Sequence, residues 1–351
     1  MRRVLVTGAG GSAAANFVQS LRAAPEPFYI VGTDARREHL ELADVDVRYL
    51  LAPSEDASYL DELNAVIEAE EVDVVHPQPD PEVLRVAAAA RDVRARTFLP
   101  AAETIAVCQD KAAAAERLAA AGVPVPAVGQ RDVHDAAADI LSRHPKAWVR
   151  AKRGAGARAS LPVTTVEQAV AWARYWVETR GLDYDDLMVG EFLPGREFAF
   201  QSLWRRGELV TSQARERLEY LYGHLTPSGQ TSTPSVAKTV RRDDVNEVAA
   251  AAVRAVDRDA NGVFCVDLKE DGDGGPRVTE INAGRFFTTS NFLTQAGANM
   301  PYTYVRLAYG DDVNGLPPFN AVEEGLYWVR MVDMGYKLVR EGQWRSKRLA
   351  G

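Results

Sequence analysis

The sequence predicts an α/β protein that begins with a doubly wound parallel sheet and continues into a larger part where antiparallel strands and helices mix. Short apolar runs alternate with amphipathic helical stretches over the first hundred residues or so. A glycine-rich turn follows the first of these runs, and closely spaced strand-like runs fill much of residues 187–282. At 351 residues the chain is long enough for about two or three domains.

The N-terminal sheet is predicted from four apolar runs that each end in a turn. These runs cover residues 3–11, 28–35, 72–80 and 95–100. The segments between them, 13–24, 57–71 and 81–93, carry apolar side chains at three- and four-residue spacing, which predicts helices. Strands that alternate with helices form a parallel sheet with helices on both faces.

The rest of the chain begins with a long predicted helix in 103–126, which Gly122 and two prolines end. A strand at 147–150, the glycine-rich segment 153–160 and a helix at 165–180 follow. Further strands are predicted at 187–193, 197–204, 208–215, 262–270, 276–282 and 325–332, with a helix at 242–257. The sequence shows no internal repeat and no low-complexity linker.

Composition excludes several classes of function. A net charge of −8 and a pI of about 5.3 argue against a general nucleic-acid-binding protein. No apolar run approaches the roughly 18 residues that span a membrane. Cys108 and Cys265 form neither a disulfide framework nor a metal-ligand cluster. The opening residues, MRRVLVTGAG, do not have the pattern of a signal peptide, so we expect a cytoplasmic location.

The first glycine turn has two interpretations. Gly8 and Gly10, with Ala13, nearly match the dinucleotide-binding fingerprint, and Asp34 lies where an acid would bind ribose. The glycines, including Gly11, are also needed to turn the chain tightly between strand and helix. We favour a structural or substrate-lining turn over an NAD(P) site.

The second glycine segment offers phosphate-binding groups. Arg150 and Lys152 leave a strand, and the loop after them contains Gly154, Gly156, Arg158 and Ser160. Free backbone N–H groups in such a loop can surround phosphate oxygens while nearby cations offset their charge. The spacing is not that of a P-loop. The alternative is a mobile hairpin tip.

Residues 277–292, RVTEINAGRFFTTSNF, place Glu280, Asn282 and Arg285 close together at a strand end. Hard oxygen ligands beside an arginine suit Mg²⁺ and phosphate oxygens. Taken alone, the stretch favours a surface turn.

A further segment, EFLPGRE at 191–197, has an extended backbone that can pair with an adenine edge, and Glu197 can accept ribose hydroxyls. By itself this segment is an ordinary hairpin.

The order of these features carries the interpretation. The N-terminal α/β part is followed by QDK at 109–111 opening a helix, then a basic strand with a glycine loop, EFLPGRE, and FCVDL with TEIN near 264–282. Asp267 and Glu280 are 13 residues apart. In this order the sequence resembles the ATP-grasp superfamily across nearly the whole chain. Residues 224–240 also resemble a segment of the carbamoyl-phosphate synthetase large subunit, and the resemblance covers a single ATP-grasp unit.

The resemblance implies a pre-ATP-grasp domain at 1–108, a two-lobed α+β ATP-grasp domain at 109–318 and a C-terminal extension at 319–351. The lobe with the glycine loop is expected at about 124–186, and the lobe with the metal site at about 187–318. The implied cofactors are ATP and one or two Mg²⁺ ions, for which Mn²⁺ can substitute.

The resemblance also implies the site residues. Those for the nucleotide are Lys111, Arg150, Gly154, Gly156, Arg158, Ser160, Glu191, Phe192, Leu193 and Glu197. The metal ligands are Asp267, Glu280 and Asn282, and the catalytic residues are Arg285 and Lys152. Three positions depart from the family pattern. Arg150 is usually a lysine, Gly190 stands where an acid is often found, and Arg285 comes one residue late.

The implied reaction is ATP-dependent joining of a small carboxylate to an amine through an acyl phosphate. Alternatives are a carbamoyl-phosphate-synthetase-like enzyme on the same ATP site, or an NAD(P)-dependent dehydrogenase or nucleotide sensor. We expect small-molecule partners, no nucleic acid, no membrane and a possible homodimer. Candidate substrate contacts are His76, Gln78, Asp80, Arg215, Arg217 and Ser228 to Ser232, each of which can equally be a solvated loop residue.

Overall fold

The computed structural model describes residues 1–129, 132–154, 156–231, 233–332 and 335–343. Within these ranges the chain forms a parallel sheet of four strands, an antiparallel sheet of three and an antiparallel sheet of seven. The predicted α/β class, with a parallel N-terminal sheet followed by an α+β part, is confirmed. No described helix is long and apolar enough to cross a membrane.

The N-terminal sheet has the strand order β3-β2-β1-β4. Its elements are β1 (Arg2–Thr7), α1 (Ser12–Arg22), β2 (Phe28–Asp34), α2 (Arg37–Leu40), β3 (Val47–Leu50), α3 (Tyr59–Ala69), β4 (Val74–His76) and α4 (Asp80–Ala88). Alternate strand residues point to opposite faces. Val4 therefore packs with Phe17 of α1, whereas Leu5 packs with Leu63 of α3. Both faces are covered, as a doubly wound sheet requires.

The predicted strand at 95–100 is wrong, and a strand at β3 was missed. In the 95–100 segment only Arg96 forms a bridge, to Val74. The chain then leaves the sheet because Phe98 and Leu99 pack into different cores. Their backbone runs so close to Gly262 that a Cβ there would lie 2.5 Å from the Phe98 carbonyl oxygen. This segment therefore joins the N-terminal part to the large sheet.

The single helix predicted in 103–126 is two helices, α5 (Ala102–Gln109) and α6 (Lys111–Ala120). Asp110 interrupts them with an extended backbone, and its side chain accepts hydrogen bonds from the N–H groups of Ala112 and Ala113. This N-cap favours a new helix start over continuation. It sets Lys111 at the first position of α6, where its side chain is buried.

The glycine-loop lobe is built on the three-stranded sheet, in the order β6-β5-β7. Its elements are α7 (Val133–Arg143), β5 (Ala147–Ala151), β6 (Leu161–Val163), α8 (Val166–Arg180) and β7 (Leu187–Glu191). Helices α7 and α8 cover one face of the sheet with Ile140, Ala169 and Ala173. Because β7 pairs with β5, this sheet runs past residue 186, where we expected the lobe to end.

The seven-stranded sheet has the order β12-β11-β8-β9-β10-β13-β14. Its elements are β8 (Glu197–Arg205), β9 (Glu208–Tyr220), β10 (Pro234–Thr239), α9 (Asp243–Val256), β11 (Gly262–Glu270), β12 (Pro276–Ala283), α10 (Ser290–Gln295), α11 (Met300–Tyr309), β13 (Leu326–Met331) and β14 (Gly335–Arg340). Helix α9 packs on Phe198, Phe200 and Phe264. The C-terminal extension thus supplies two strands of this sheet.

Candidate active site

A cavity of about 750 Å³ lies where the three sheets meet. Its walls come from the start of α4, the start of α6, the glycine loop, and strands β7, β8, β9, β11 and β12. Thirteen predicted site residues line it: Lys111, Arg150, Gly154, Gly156, Ser160, Glu191, Phe192, Leu193, Glu197, Asp267, Glu280, Asn282 and Arg285. The other two predicted residues, Lys152 and Arg158, both in described ranges, are not part of its lining.

Three oxygen-bearing side chains gather at the β11–β12 pair. Asp267 stands directly opposite Glu280 in the antiparallel register, and a bulge follows Asp267. Asn282, two residues beyond Glu280, donates from Nδ2 to Asp267 Oδ2 over 3.4 Å. Directly opposite residues share a face of the sheet. The hairpin between the strands therefore turns a 13-residue separation in sequence into one cluster of oxygen donors.

Glu280 lies between two cations. Arg150 Nη2 is 2.9 Å from Glu280 Oε2, and Lys111 Nζ is 3.7 Å from Oε1. Lys111 also donates to the carbonyl of Gly154, 2.8 Å away. Burial alone would raise the pKa of Glu280, but Lys111, Arg150 and Arg285 outweigh it and hold that pKa below its ordinary value. The carboxylate is thus charged in the folded state.

Two further arginines, Arg217 and Arg285, form ion pairs and hydrogen bonds with the side chains around Glu280. Arg217 Nη2 lies 2.6 Å from Asp267 Oδ1. Burial and the nearby Glu280 raise the pKa of Asp267, and Arg217 opposes that rise. Arg285 donates to the carboxylate of Asp80 and to the side-chain oxygen of Asn282. Arg285 therefore connects the predicted metal ligand Asn282 to the N-terminal part of the chain.

The three candidate substrate contacts in HPQPD have different positions relative to the cavity. Gln78 and Asp80 line the cavity, whereas His76 is fully buried in the core and stacks on Phe17 at 4.2 Å. Gln78 links the two, because its amide oxygen bonds His76 Nε2 and its nitrogen donates to the Phe286 carbonyl. His76 thus supports the wall and does not form it.

An aromatic and apolar region forms the other end of the cavity. Trp148, Met188, Phe192 and Leu193 line it, and the Trp148 and Phe192 rings lie 6.0 Å apart. Glu191 is engaged within the protein. Its N–H donates to the Ala127 carbonyl at 2.8 Å, and its carboxylate accepts from the Ala127 N–H at 3.2 Å. The Glu191 N–H, one of the backbone groups expected to bind adenine, is therefore already engaged in a hydrogen bond within the protein.

Glu197, predicted to bind ribose, accepts hydrogen bonds from Tyr220, Gln230 and Lys269. Burial would raise its pKa, but Lys269 and Tyr220 more than offset this effect and lower it. These three partners come from β9, β11 and the loop before β10. They fix the carboxylate at the cavity wall.

The glycine loop presents Arg153 to the cavity, which the sequence interpretation missed in favour of Lys152. The Lys152 backbone is anchored instead: its N–H donates to the Asp186 carbonyl, and its own carbonyl accepts from the Lys111 N–H. Strand β5 ends at Ala151, so side-chain alternation no longer predicts direction beyond it. Gly154 and Gly156 have φ of 93° and 78°, which favour glycine.

Two other predictions concern loops. The first glycine turn is closed by Asp34, whose carboxylate accepts from the N–H groups of Gly10 and Arg36. Helix α2 packs so tightly on this turn that a Cβ on Gly10 would lie 2.3 Å from the His39 backbone. In the segment 228–232, Gln230 and Thr231 line the cavity, and Ser232 lies outside the described residues.

Residues 183–325 match the family model described as ATP-grasp in the biosynthetic pathway with Ter operon. No curated protein shows significant sequence similarity to the chain. Three solved structures illustrate the shared fold, each covering 93% or 94% of this chain. The biotin carboxylase domain of Hydrogenobacter thermophilus 2-oxoglutarate carboxylase, a dimer solved with MgADP, ADP and bicarbonate, has a TM-score of 0.69 at 15% identity over 73% of its length.

The L-amino acid ligase of Bacillus licheniformis also has a TM-score of 0.69, at 15% identity over 79% of its length. The N5-carboxyaminoimidazole synthetase of Staphylococcus aureus, solved with ADP, has 0.68 at 15% identity over 82%. The matched segment 183–325 includes Asp267, Glu280, Asn282 and Arg285. Residues 183–325 therefore match an ATP-grasp family model, and nearly the whole chain shares its fold with these three structures.

Proposed function

We propose that this protein is an ATP-dependent ligase that joins a small carboxylic acid to an amine and releases ADP and phosphate. One observation carries the proposal. Lys111, Arg150, Glu280, Asp267 and Arg285 converge on one cavity. Its volume, about 750 Å³, is within the range of small-molecule sites.

The donor set fits Mg²⁺. Asp267 and Glu280 offer carboxylate oxygens and Asn282 an amide oxygen, the hard ligands that this ion prefers. When bound, Mg²⁺ would neutralise phosphate charge and polarise the transferred phosphoryl group. In the structure, Glu280 is paired with Arg150 and Asp267 with Arg217, and Asn282 bonds both Asp267 and Arg285.

The chain's own cations would position ATP. Lys111 and Arg150 stand at the start of α6 and on β5, on either side of Glu280, and can offset triphosphate charge. The region of Trp148, Met188 and Phe192 suits a flat base. Glu197 begins β8 two residues before Ala199, which stands opposite Asp267 in the sheet register. Arg153 on the glycine loop adds an exposed cation that can cover the phosphates.

The reaction then needs alignment more than covalent help from the protein. A substrate carboxylate oxygen attacks the γ-phosphorus, the bond to the bridging oxygen breaks, and ADP leaves. The amine attacks the acyl carbon, loses a proton, and inorganic phosphate leaves with the original carboxylate oxygen. Arg285, held by Asp80 and Asn282, is placed to stabilise negative charge on the acyl phosphate. Closure of the glycine loop would protect that intermediate from water.

The test has two steps. Mass spectrometry of mixtures with ATP, Mg²⁺ and pooled metabolites identifies the acid and the amine. With the acid labelled by ¹⁸O in its carboxylate, one label should appear in released phosphate for each amide formed, and ADP should accumulate. Formation of AMP, or phosphate without label, would refute the acyl-phosphate route.

Bicarbonate is the second candidate for the acid. A biotin carboxylase domain solved with bicarbonate is as similar in fold as the L-amino acid ligase. ADP release that depends on bicarbonate and requires no organic acid would favour carboxyphosphate chemistry. That outcome would keep the proposed roles of the ATP and metal residues and change the acid.

A further inference from the structure

Arg215 is a buried cation with unsatisfied hydrogen-bond donors on the cavity wall. It is 1% exposed and lines the cavity from β9. Its Nε and Nη1 make no hydrogen bond to any described residue, and no acidic side chain in the described ranges forms an ion pair with it. Leaving a buried guanidinium without partners costs free energy, so such a group is a candidate for binding a ligand.

The neighbours of Arg215 hold it in place without neutralising it. Its guanidinium carbon lies 4.8 Å from the centre of the Phe287 ring, and that of Arg217 lies 5.3 Å from the same ring. Burial and the nearby Arg217 lower the pKa of Arg215 to about 9, and Arg330 adds to this effect. Arg330 is satisfied by the carbonyls of Pro234 and Thr288, whereas Arg217 is paired with Asp267.

A second unsatisfied group lines the same cavity, two residues after Phe287, whose ring Arg215 contacts. The hydroxyl of Thr289 is fully buried, lines the cavity and has no hydrogen-bond partner among the described residues. A hydroxyl and a guanidinium together can donate several hydrogen bonds, and a carboxylate accepts them on two oxygens. The wall therefore matches an anion and offers little to a cation.

Arg215 and the predicted metal ligand Asp267 lie on different strands of the seven-stranded sheet. In the sheet register Arg215 stands opposite Ala199, Ala199 opposite Asp267, and Asp267 opposite Glu280. Two strand spacings separate Arg215 from Asp267, about 10 Å between backbones. Both residues line the same cavity, so a substrate with two carboxylates can contact Arg215 at one end and lie near the predicted metal ligands at the other.

We propose that Arg215, with the Thr289 hydroxyl, binds a second carboxylate of the acid substrate, one that is not phosphorylated. This inference rests on the proposed ligase function. The carboxylate near Arg285 accepts the phosphoryl group, and the one at Arg215 orients the acid. The substrate class is thus a dicarboxylic acid, or an acid with a remote carboxylate.

The test measures thermal unfolding of wild type, Arg215→Met and Arg330→Met with acetate, malonate, succinate, glutarate or adipate at constant ionic strength. Without ligand, Arg215→Met should raise Tm by about 2 °C because an unpaired buried charge is removed. Arg330→Met should lower Tm, since the carbonyls of Pro234 and Thr288 lose a hydrogen-bond donor. At least one dicarboxylate should raise the wild-type Tm more than acetate does, and this difference should vanish in Arg215→Met.

The proposal is overturned if Arg215→Met lowers Tm as Arg330→Met does, since that result indicates a structural role. It is also overturned if no dicarboxylate exceeds acetate in the wild type, or if the excess survives in Arg215→Met. Stabilisation by MgADP is measured separately in the same proteins. Its absence in the wild type would refute the proposed function, while the carboxylate series still decides the role of Arg215.

Discussion

Replacing Glu280 with glutamine should change nucleotide binding in opposite directions with and without Mg²⁺. Glu280 contacts Arg150 at 2.9 Å and Lys111 at 3.7 Å. Without metal, its negative charge competes with nucleotide phosphates for these two cations. With metal, the same carboxylate is one of the ligands that we propose for Mg²⁺. A neutral amide of nearly the same shape separates the two effects.

The magnitudes follow from charge and distance. Two unit charges about 8 Å apart, at an effective dielectric constant of about 20, interact by about 2 kcal/mol. With EDTA, ADP should therefore bind Glu280→Gln about 10- to 30-fold more tightly than wild type. With Mg²⁺, losing a charged ligand should weaken ADP binding about 100-fold, because even groups that only support metal ligands contribute about 10- to 100-fold. Isothermal titration calorimetry in both buffers measures both numbers.

The matched control is Glu270→Gln. Glu270 is also a buried carboxylate held by two cations, Arg196 at 2.8 Å and Arg242 at 2.9 Å, but it does not line the cavity. It should share any loss of stability and leave ADP affinity unchanged in both buffers. If Glu280→Gln shifts affinity in the same direction with and without Mg²⁺, or behaves like the control, the metal-ligand assignment is wrong.

Three further predictions test other parts of the molecule. Lys111→Met should weaken ADP binding at least about 10-fold even with EDTA, whereas Glu280→Gln should strengthen it under the same condition. An unchanged affinity in calorimetry would contradict the proposed role of Lys111 in binding phosphates. Burial lowers the pKa of His76 from 6.5 to about 4. As the pH drops, the histidine is protonated in the unfolded chain before it is protonated in the folded protein. The free energy of unfolding therefore falls between about pH 6.5 and pH 4. Urea unfolding should show about 2 kcal/mol of this loss between pH 7 and pH 5 in wild type and not in His76→Phe, and equal pH slopes would refute it. Gly10→Ala should lower Tm by several degrees, since its Cβ would lie 2.3 Å from the His39 backbone. The control Gly272→Ala, whose Cβ would have no atom within 4 Å, should leave Tm unchanged. An unchanged Tm in Gly10→Ala would show that the turn adjusts to the added methyl group.

Local patterns in the sequence predicted most of the fold because strands and helices here follow apolar periodicity. The errors occur where contacts distant in sequence decide. The 95–100 run has strand composition, yet Phe98 and Leu99 are drawn into separate cores. The helix predicted across 103–126 breaks because Asp110 caps the second half. A capping aspartate followed by helix formers is a local signal, and it was available in the sequence.

The sequence indicates which candidate site residues lie together when the pairing of two strands brings them together. It does not indicate this when loops bring them together. Asp267 and Glu280 meet because two consecutive strands pair. The Asp80–Arg285 contact joins residues 205 positions apart, which no local pattern indicates. Lys152 and Arg153 differ by one position, and the choice between them depends on a loop with positive φ at Gly154, Gly156 and Ala157.

The Asp80–Arg285 pair also explains why the N-terminal domain belongs to the site. Parallel sheets bind ligands at the carboxyl ends of their strands, and Gln78 to Asp80 follow β4 there. This edge faces the end of β12, where Arg285 emerges. The residues that we propose for ATP lie on the other lobes, so in the proposed reaction the N-terminal edge is free to select the acid and the amine. We therefore expect sequence change in this edge to alter substrate choice while the proposed nucleotide and metal residues stay fixed.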